Sequence, residues 1–125
     1  MSTRYKSGIH YLKEMIGACI KIQEYVANTT EEEFFKQRES FDAICMQLSH
    51  LGEQVAHLEK SPDKIIQHFP DGVNWHGLNG LRNRINHAYM TVDVEMIWQF
   101  AVEEVTSLEV ALRNILIKRY GQSFP

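Results

Sequence analysis

The sequence predicts an all-α protein, folded as an antiparallel bundle of four to five helices. Apolar residues recur along most of the chain at spacings of three and four, the period of an amphipathic helix. Runs in which Val, Ile or Thr alternates with polar residues, the usual signal of a strand, are nearly absent. With 125 residues and only three prolines, the chain is expected to form one domain over residues 1–125.

Two long helices are predicted in the first half of the chain. The first covers about residues 4–27, with an apolar stripe of Ile9, Leu12, Ile16 and Ile20. The sequence NTT ends it, and Thr30 is expected to cap a following turn that begins with three glutamates. The second long helix is indicated by the 3-4-3-4-3 spacing of Phe41, Ile44, Leu48, Leu51, Val55 and Leu58.

Prolines and cap residues divide the second half. Ser61 is expected to cap a short helical element in which Pro62 takes the first position and which Pro70 ends. Asn74 is expected to cap a helix over residues 75–88, whose apolar side is formed by Leu78, Leu81, Ile85 and Ala88. A last long helix to about Lys118, with Gly121 just beyond it, is indicated by Val94, Ile97, Ala101, Val105, Leu108, Leu112 and Ile115.

The last helix carries more apolar residues than one bundle face needs. The additional ones are Met96, Trp98, Val102 and Val110. They have two explanations: a surface for self-association, or packing of Trp98 against a short helix of its own chain.

Composition and charge narrow the class of protein. The hydrophobic fraction of 44% and the charged fraction of 23% are typical of a soluble globular protein. A net charge of −3 argues against a strongly basic nucleic-acid binder, so any phosphate contact must be local.

Cys19 and Cys45 lie in apolar helical patterns and are expected to be buried free thiols in a reducing compartment. Without a signal peptide or a membrane-length apolar run, the sequence predicts a cytoplasmic protein.

The candidate site is the sequence RNRINHAY, residues 82–89, which is unusually polar for a helix. On a regular helix Arg82, Asn86 and Tyr89 form one polar stripe, whereas Arg82 and His87 lie about 140° apart around the axis. If both act on one phosphate, either the helix unwinds near Asn86 or two chains of a two-fold dimer form a composite site.

An arginine and a histidine are sufficient for RNA cleavage without a metal, because the ribose 2′-OH is the nucleophile. His87 can transfer protons near neutral pH, and Arg82 can stabilise the charge of the pentacoordinate transition state. Asn83 and Asn86 can orient these groups. The alternative is that the cations only compensate the dipole at a helix C-terminus.

Metal binding is not expected from the remaining histidines. His68 and His76 are isolated in the sequence. His50 and His57 share one helix face, without a carboxylate or cysteine assigned to complete a ligand set.

Residues from Phe41 onward, FDAICMQLSHLGEQVAHLEK and VNWHGLNGLRNRINHAYMTVDVEMIWQ, resemble the HepT-like toxin branch of the HEPN superfamily. That branch is marked by the pattern R-N-x-x-x-H-x-Y, which is matched here by Arg82, Asn83, His87 and Tyr89. The resemblance extends over roughly residues 7–117 and includes Gly52, Glu53, Trp75, Asp93 and Trp98. Gly52 is expected to permit a close crossing of two helices.

The resemblance implies a helical bundle that forms a homodimer, with two motifs around one cleft and no cofactor. It implies a metal-independent ribonuclease with Arg82 and His87 as catalytic residues, acting as the toxin of a type VII-like toxin–antitoxin pair. The partner would be an MntA-like nucleotidyltransferase antitoxin that transfers AMP from ATP to Tyr89. Without the resemblance, Tyr89 is equally well explained as an aromatic residue packed over a helix end.

Two other functions remain open. The chain could be a non-catalytic subunit that binds a substrate or nucleotide for a nucleotidyltransferase, or an interaction domain in which the motif only mediates dimerisation. Related bundles of the first kind generally lack an intact Arg-His motif, which favours the enzyme. For the enzyme, the negative net charge favours a particular folded RNA, such as a tRNA, over indiscriminate cleavage.

Overall fold

The computed structural model describes residues 6–125 as helices joined by short connections, without a strand in that range. The α-helices are α1 (Gly8–Ala27), α2 (Glu31–Lys36), α3 (Arg38–Lys60), α4 (Ile65–His68), α5 (Trp75–Ala88), α6 (Val94–Glu103) and α7 (Val105–Tyr120). A 3-10 turn, Tyr89–Thr91, follows α5. The all-α class is therefore confirmed. The predicted start of the first helix near residue 4 lies outside the described residues, and Gly8 is the first helical residue within them.

The long helices run antiparallel to their neighbours, as predicted. The α3–α5 pair is ordered by contacts of Ser49 with Asn86 and of Phe41 with Tyr89, so that residue numbers fall along α3 as they rise along α5. In the α1–α7 pair, Gln23 meets Glu109 near one end of the bundle, while Gly8 lies beside Tyr120 at the other. Between residues 6 and 125, no helix is both long and apolar enough to cross a membrane.

Side-chain caps begin several helices as the sequence indicates. Thr30 accepts a hydrogen bond from the backbone N–H of Glu33, and Asn74 accepts one from Gly77. Each cap satisfies an N–H group that has no partner within its helix. The helix starts predicted at these two positions are confirmed.

The short element between Ser61 and Pro70 begins later than predicted. Ser61 is the C-terminal cap of α3, and α4 begins only at Ile65, so the placement of Pro62 at the first helical position was wrong. The Ser61 hydroxyl donates to the carbonyl oxygen of Lys6, 55 positions earlier. Lys64 adopts a left-handed conformation (φ 54°) just before α4. The long-range contact of Ser61 explains why this turn does not follow its local signals.

The predicted last helix is broken at Glu104 into α6 and α7. No proline or glycine marks the break in the sequence. The two segments meet different partners: α6 packs against α1, α2 and α3, whereas α7 runs along α1. We attribute the break to these tertiary contacts, since no local signal accounts for it.

The core lies between the apolar stripes of the long helices. Its largest fully buried side chains include Leu12, Met15, Ile16, Ile22, Phe34, Phe41, Ile44, Leu48, Leu51, Leu58 and Ile97. Trp98 stacks on Phe34 of α2 with ring centroids 4.9 Å apart, so it packs against a short helix of its own chain. Val102 and Val110 are exposed, and self-association through them stays a prediction.

Both cysteines are buried free thiols, as predicted. Burial is the main reason why the pKa of each thiol is raised to about 12. Neither thiol is therefore ionised near neutral pH, and nucleophilic chemistry is not expected from them.

Gly52 lets α3 and α5 cross closely. A Cβ atom at this position would overlap the Cβ atom of Arg82 and lie 2.7 Å from the carbonyl oxygen of Leu78. Because one of these neighbours is backbone, a small side-chain movement cannot make room. The close crossing expected from the sequence is confirmed.

Asp63 connects three elements at one end of the bundle. Its carboxylate accepts hydrogen bonds from the Ser7 hydroxyl, the Gly8 backbone N–H and the Tyr120 hydroxyl. Burial alone would raise the pKa of this carboxyl, but the three hydrogen bonds and the charge of Arg119 outweigh burial and lower it. The ionised form is thus favoured in the folded protein, beside the N-terminus of α1.

Replacing Gly52 with alanine is expected to destabilise the protein by about 1–3 kcal/mol, because the new methyl group forces α3 and α5 apart. The free energy of unfolding, measured with urea, tests this. Gly17→Ala is the matched control, since Gly17 lies inside α1 with nothing within 4 Å of an added Cβ. The control is expected to be neutral or slightly stabilising. Equal stability of the two variants would contradict the close crossing.

Asp63→Asn is expected to lower the free energy of unfolding at neutral pH by about 1–2 kcal/mol, through the loss of charge-assisted hydrogen bonds. The pKa of Asp63 is lowered by folding, so its stabilisation is present above the unfolded-state pKa and is lost as pH falls through the folded-state pKa. The difference between wild type and variant should therefore shrink in acid. Asp71→Asn, at an exposed position, provides the control. A difference independent of pH would contradict this role of the carboxylate.

Candidate active site

The motif RNRINHAY lies on α5, which remains a regular α-helix through Ala88. The helix does not unwind near Asn86. It breaks at Ala88 (φ −140°, ψ 38°), after His87, and Tyr89 then starts the 3-10 turn. Arg82 and His87 thus keep helical spacing and lie on different sides of α5.

Arg82 is fixed against α3. Its stem packs at Gly52, and its Nη2 donates a hydrogen bond to Asn83 Oδ1 at 3.2 Å. Its Nε is buried and has no hydrogen-bond partner among residues 6–125. A buried donor without an acceptor costs about 1–3 kcal/mol, so the packing of the Arg82 stem, and not a hydrogen bond, keeps Nε in this position.

A groove between α3 and α5 contains Arg82. We call it the basic groove, and it is lined by Glu53, Ala56, His57, Lys60, Arg82 and Asn86. Lys60 is exposed, and the His57 ring is half-buried. Two permanent cations therefore lie in one groove, although the net charge of the chain is −3.

His57 contacts a carboxylate and an aromatic ring. Its Nε2 lies 3.9 Å from Oε1 of Glu53, and its ring meets the Tyr11 ring edge to face, with centroids 5.1 Å apart. This contact was not predicted, although Glu53 precedes His57 by one helical turn. The spacing of Glu53, His57 and Lys60 was the available signal. Within residues 6–125, no cluster of three or more His, Cys, Asp or Glu side chains has the geometry of a metal site.

Tyr89 leaves the helical stripe predicted for it because the helix breaks at Ala88. Its ring packs on Phe41 of α3, with centroids 5.7 Å apart. The Arg38 guanidinium lies 4.5 Å from the Phe41 centroid and 4.7 Å from the Tyr89 centroid. Arg38 also pairs with Asp42 at 3.3 Å. These aromatic and cation–π contacts fix the position of the tyrosine ring.

Tyr89 lines a second groove, which continues from the first. This Tyr89 groove is bordered by Asp42, Cys45, Met46, Ser49, His50, Glu53, Ile85, Asn86 and Tyr89. It shares Glu53 and Asn86 with the basic groove. Asn86 accepts a hydrogen bond from the Ser49 hydroxyl at 2.9 Å, so its amide is oriented at the junction of the two grooves.

The structure thus brings together some of the predicted site residues and separates others. Arg82, Asn86 and Tyr89 lie along connected grooves between α3 and α5. Asn83 and His87 are exposed. Within one chain, Arg82 and His87 lie on different sides of α5.

Comparison with known proteins agrees with the motif and the helix order. A family model described as "Ribonuclease HepT-like" matches residues 15–115. The chain is 28% identical over 108 residues to "Putative RNase TTE0752" of Caldanaerobacter subterraneus subsp. tengcongensis, covering 86% of this chain and 93% of that protein. It is 27% identical over 95 residues to "Putative RNase MJ0127" of Methanocaldococcus jannaschii, covering 76% and 75%.

A third relative is "Probable ribonuclease HepT" of Thermococcus cleftensis, 24% identical over 99 residues, covering 79% of this chain and 86% of that protein. No solved structure gives a significant match. The family model covers most of the chain, including α3, α5 and the whole motif. On these grounds the chain belongs to the HepT-like ribonuclease family.

Proposed function

We propose that this protein is a metal-independent endoribonuclease toxin in which Arg82 and His87 carry the reaction. The observation that supports the proposal most is the intact R-N-x-x-x-H-x-Y motif, with its arginine and histidine on a regular helix, in a chain of the HepT-like ribonuclease family. Its arginine lies in a groove between α3 and α5, where a guanidinium can bind a phosphate.

The reaction is an RNA transesterification. The ribose 2′ oxygen attacks the adjacent phosphorus. His87 either accepts the 2′-OH proton, while water protonates the leaving 5′ oxygen, or protonates that oxygen, while water takes the 2′-OH proton. The bond from phosphorus to the 5′ oxygen breaks, leaving a 2′,3′-cyclic phosphate and a 5′-hydroxyl. Arg82 stabilises the negative charge that develops on the phosphate oxygens. Asn83 and Asn86 support these groups.

The separation of Arg82 and His87 on α5 favours a site made by two chains. The helix is regular between them, so unwinding does not bring them together. A two-fold homodimer would place His87 of one chain near Arg82 of the other. One dimer then holds two equivalent sites around one cleft.

Tyr89 is the residue at which we propose that activity is regulated. In a type VII-like toxin–antitoxin pair, an MntA-like nucleotidyltransferase would transfer AMP from ATP onto the Tyr89 oxygen, with release of pyrophosphate. The Tyr89 groove joins the basic groove at Asn86, so a nucleotide attached there lies in the path of a substrate strand. Its phosphate also brings a negative charge near Arg38.

A cytoplasmic location and a folded RNA substrate such as a tRNA complete the proposal. A net charge of −3 disfavours general RNA affinity, so recognition depends on local cationic grooves and on RNA shape.

His87→Ala is expected to reduce RNA cleavage by at least about 10²-fold, the contribution typical of general acid–base catalysis. Cleavage of total cellular RNA in EDTA, with detection of cyclic-phosphate ends, is the measurement. Intact mass must first confirm that Tyr89 is unmodified. His76→Ala is the control, because His76 is an exposed histidine in the first turn of the same helix. Wild-type activity in the His87 variant would rule out its proposed role, and failure of wild type to cleave would favour a non-catalytic binding subunit.

The same assay tests whether the site is composite. When Arg82→Ala and His87→Ala chains are mixed and exchanged, each heterodimer regains one site with both residues intact. Roughly a quarter of wild-type activity should return, since half the dimers are mixed and each has one of two sites. If Arg82 and His87 act within one chain, mixing restores nothing.

Tyr89→Phe is expected to keep RNase activity, because the ring contacts with Phe41 and Arg38 remain, and to be insensitive to an MntA-like transferase and ATP. Wild type should gain the mass of AMP and lose cleavage. Tyr25→Phe, at an exposed tyrosine on α1, should behave like wild type. Full labelling of the Tyr89 variant, or full activity of labelled wild type, would contradict the assignment.

A further inference from the structure

The basic groove contains two basic side chains, His57 and Lys60, that the motif does not include. Both belong to the last turn of α3, whereas the motif lies on α5. They line the same groove as Arg82 and Asn86. The close crossing at Gly52 brings these two helix faces together.

The charges of this groove suit a phosphate. Arg82 and Lys60 carry two positive charges, and Glu53 carries one negative charge. The Glu53 carboxylate lies 3.9 Å from His57 Nε2, so its charge is directed at the imidazole. Glu53 opposes the approach of an anion, but the one negative charge leaves the groove lining with a net positive formal charge.

Lys60 enters the basic groove at a different point along α3 from Arg82. The Arg82 stem packs at Gly52, and Lys60 lies eight residues further on, about 12 Å along the helix axis. Cations spaced in this way along one groove contact different phosphates of a single strand.

We propose that Lys60 and His57 form a second phosphate subsite, which binds the backbone of a single-stranded RNA segment beside the phosphate that is cleaved. This inference rests on the proposed RNA substrate and extends it. Lys60 supplies the charge, and His57 donates a hydrogen bond from its ring to the same phosphate. Neither residue takes part in bond breaking.

A structural role for these residues is separable from the proposed one. Cations in the last turn of a helix are favoured by its dipole regardless of any ligand. Lys118 lies in the last turn of α7 and is exposed, like Lys60, but it does not line the basic groove. Lys118→Gln is therefore the matched control for Lys60→Gln.

Binding is measured with a single-stranded oligonucleotide whose 2′ oxygens are methylated, so that it cannot be cleaved. Lys60→Gln is expected to weaken binding about three- to fivefold at low salt, the effect of one exposed charge pair. It should also reduce the steepness of log K against log salt by about 0.7, the value for one phosphate of a single strand. His57→Gln should also weaken binding, because the ring hydrogen bond to the phosphate is lost.

Cleavage of two substrates tests the position of the subsite. Lys60→Gln should raise KM for an RNA oligonucleotide and leave kcat unchanged. The same variant should match wild type on a dinucleoside monophosphate, which has no neighbouring phosphate. Lys118→Gln should match wild type on both.

The results separate this inference from the proposed function. If wild type binds the methylated strand in a Lys60-dependent way but cleaves no RNA, the subsite stands and the nuclease does not. If wild type cleaves RNA but Lys60→Gln and Lys118→Gln bind and cleave alike, the subsite is overturned. A Lys60→Gln defect on the dinucleoside monophosphate equal to that on the oligonucleotide would also overturn it.

Discussion

The close crossing of α3 and α5 at Gly52 sets the positions of the polar side chains in the candidate site. Because no Cβ fits there, the two helix axes approach closely and the Arg82 stem packs directly on α3. Side chains of α3 that follow Gly52 can then reach the polar face of α5. Glu53 and His57 meet Arg82 in one groove for this reason. A wider crossing would leave these polar side chains on separate solvent-facing surfaces.

The motif divides its chemistry between two sides of one helix. Arg82 is fixed inward by packing, while His87 is exposed near the end of α5. Packing of the Arg82 stem on α3 limits where the guanidinium can lie, which suits a group that must stabilise charge in a fixed geometry. Among residues 6–125, no hydrogen bond or ion pair orients the His87 imidazole, so the proposed composite site depends on a second surface to orient it. In that proposal, the chain must dimerise in order to cleave RNA.

Much of the fold can be predicted from local signals in the sequence. The features that could not be predicted depend on contacts between segments that are distant in the sequence. Periodic apolar residues predict the long helices because an apolar stripe must be buried, and Thr30 and Asn74 mark helix starts through their own side-chain chemistry. The late start of α4 and the break at Glu104 depend on contacts with distant segments, which no local pattern encodes. The stripe shared by Arg82 and Asn86 could be predicted, because each residue of an α-helix is rotated by 100° about the axis. His57 and Lys60 were missed because their relation to Arg82 depends on the register of α3 against α5.

Tyr89 and Lys60 lie near opposite ends of α3. Its 23 residues span about 34 Å, and Tyr89 packs at its first turn while Lys60 belongs to its last. The Tyr89 groove and the basic groove meet at Asn86, so an RNA strand bound along both runs past the Tyr89 phenol. Under the proposed function, bound RNA therefore shields Tyr89 from the antitoxin, and silencing proceeds through toxin molecules that have released their RNA.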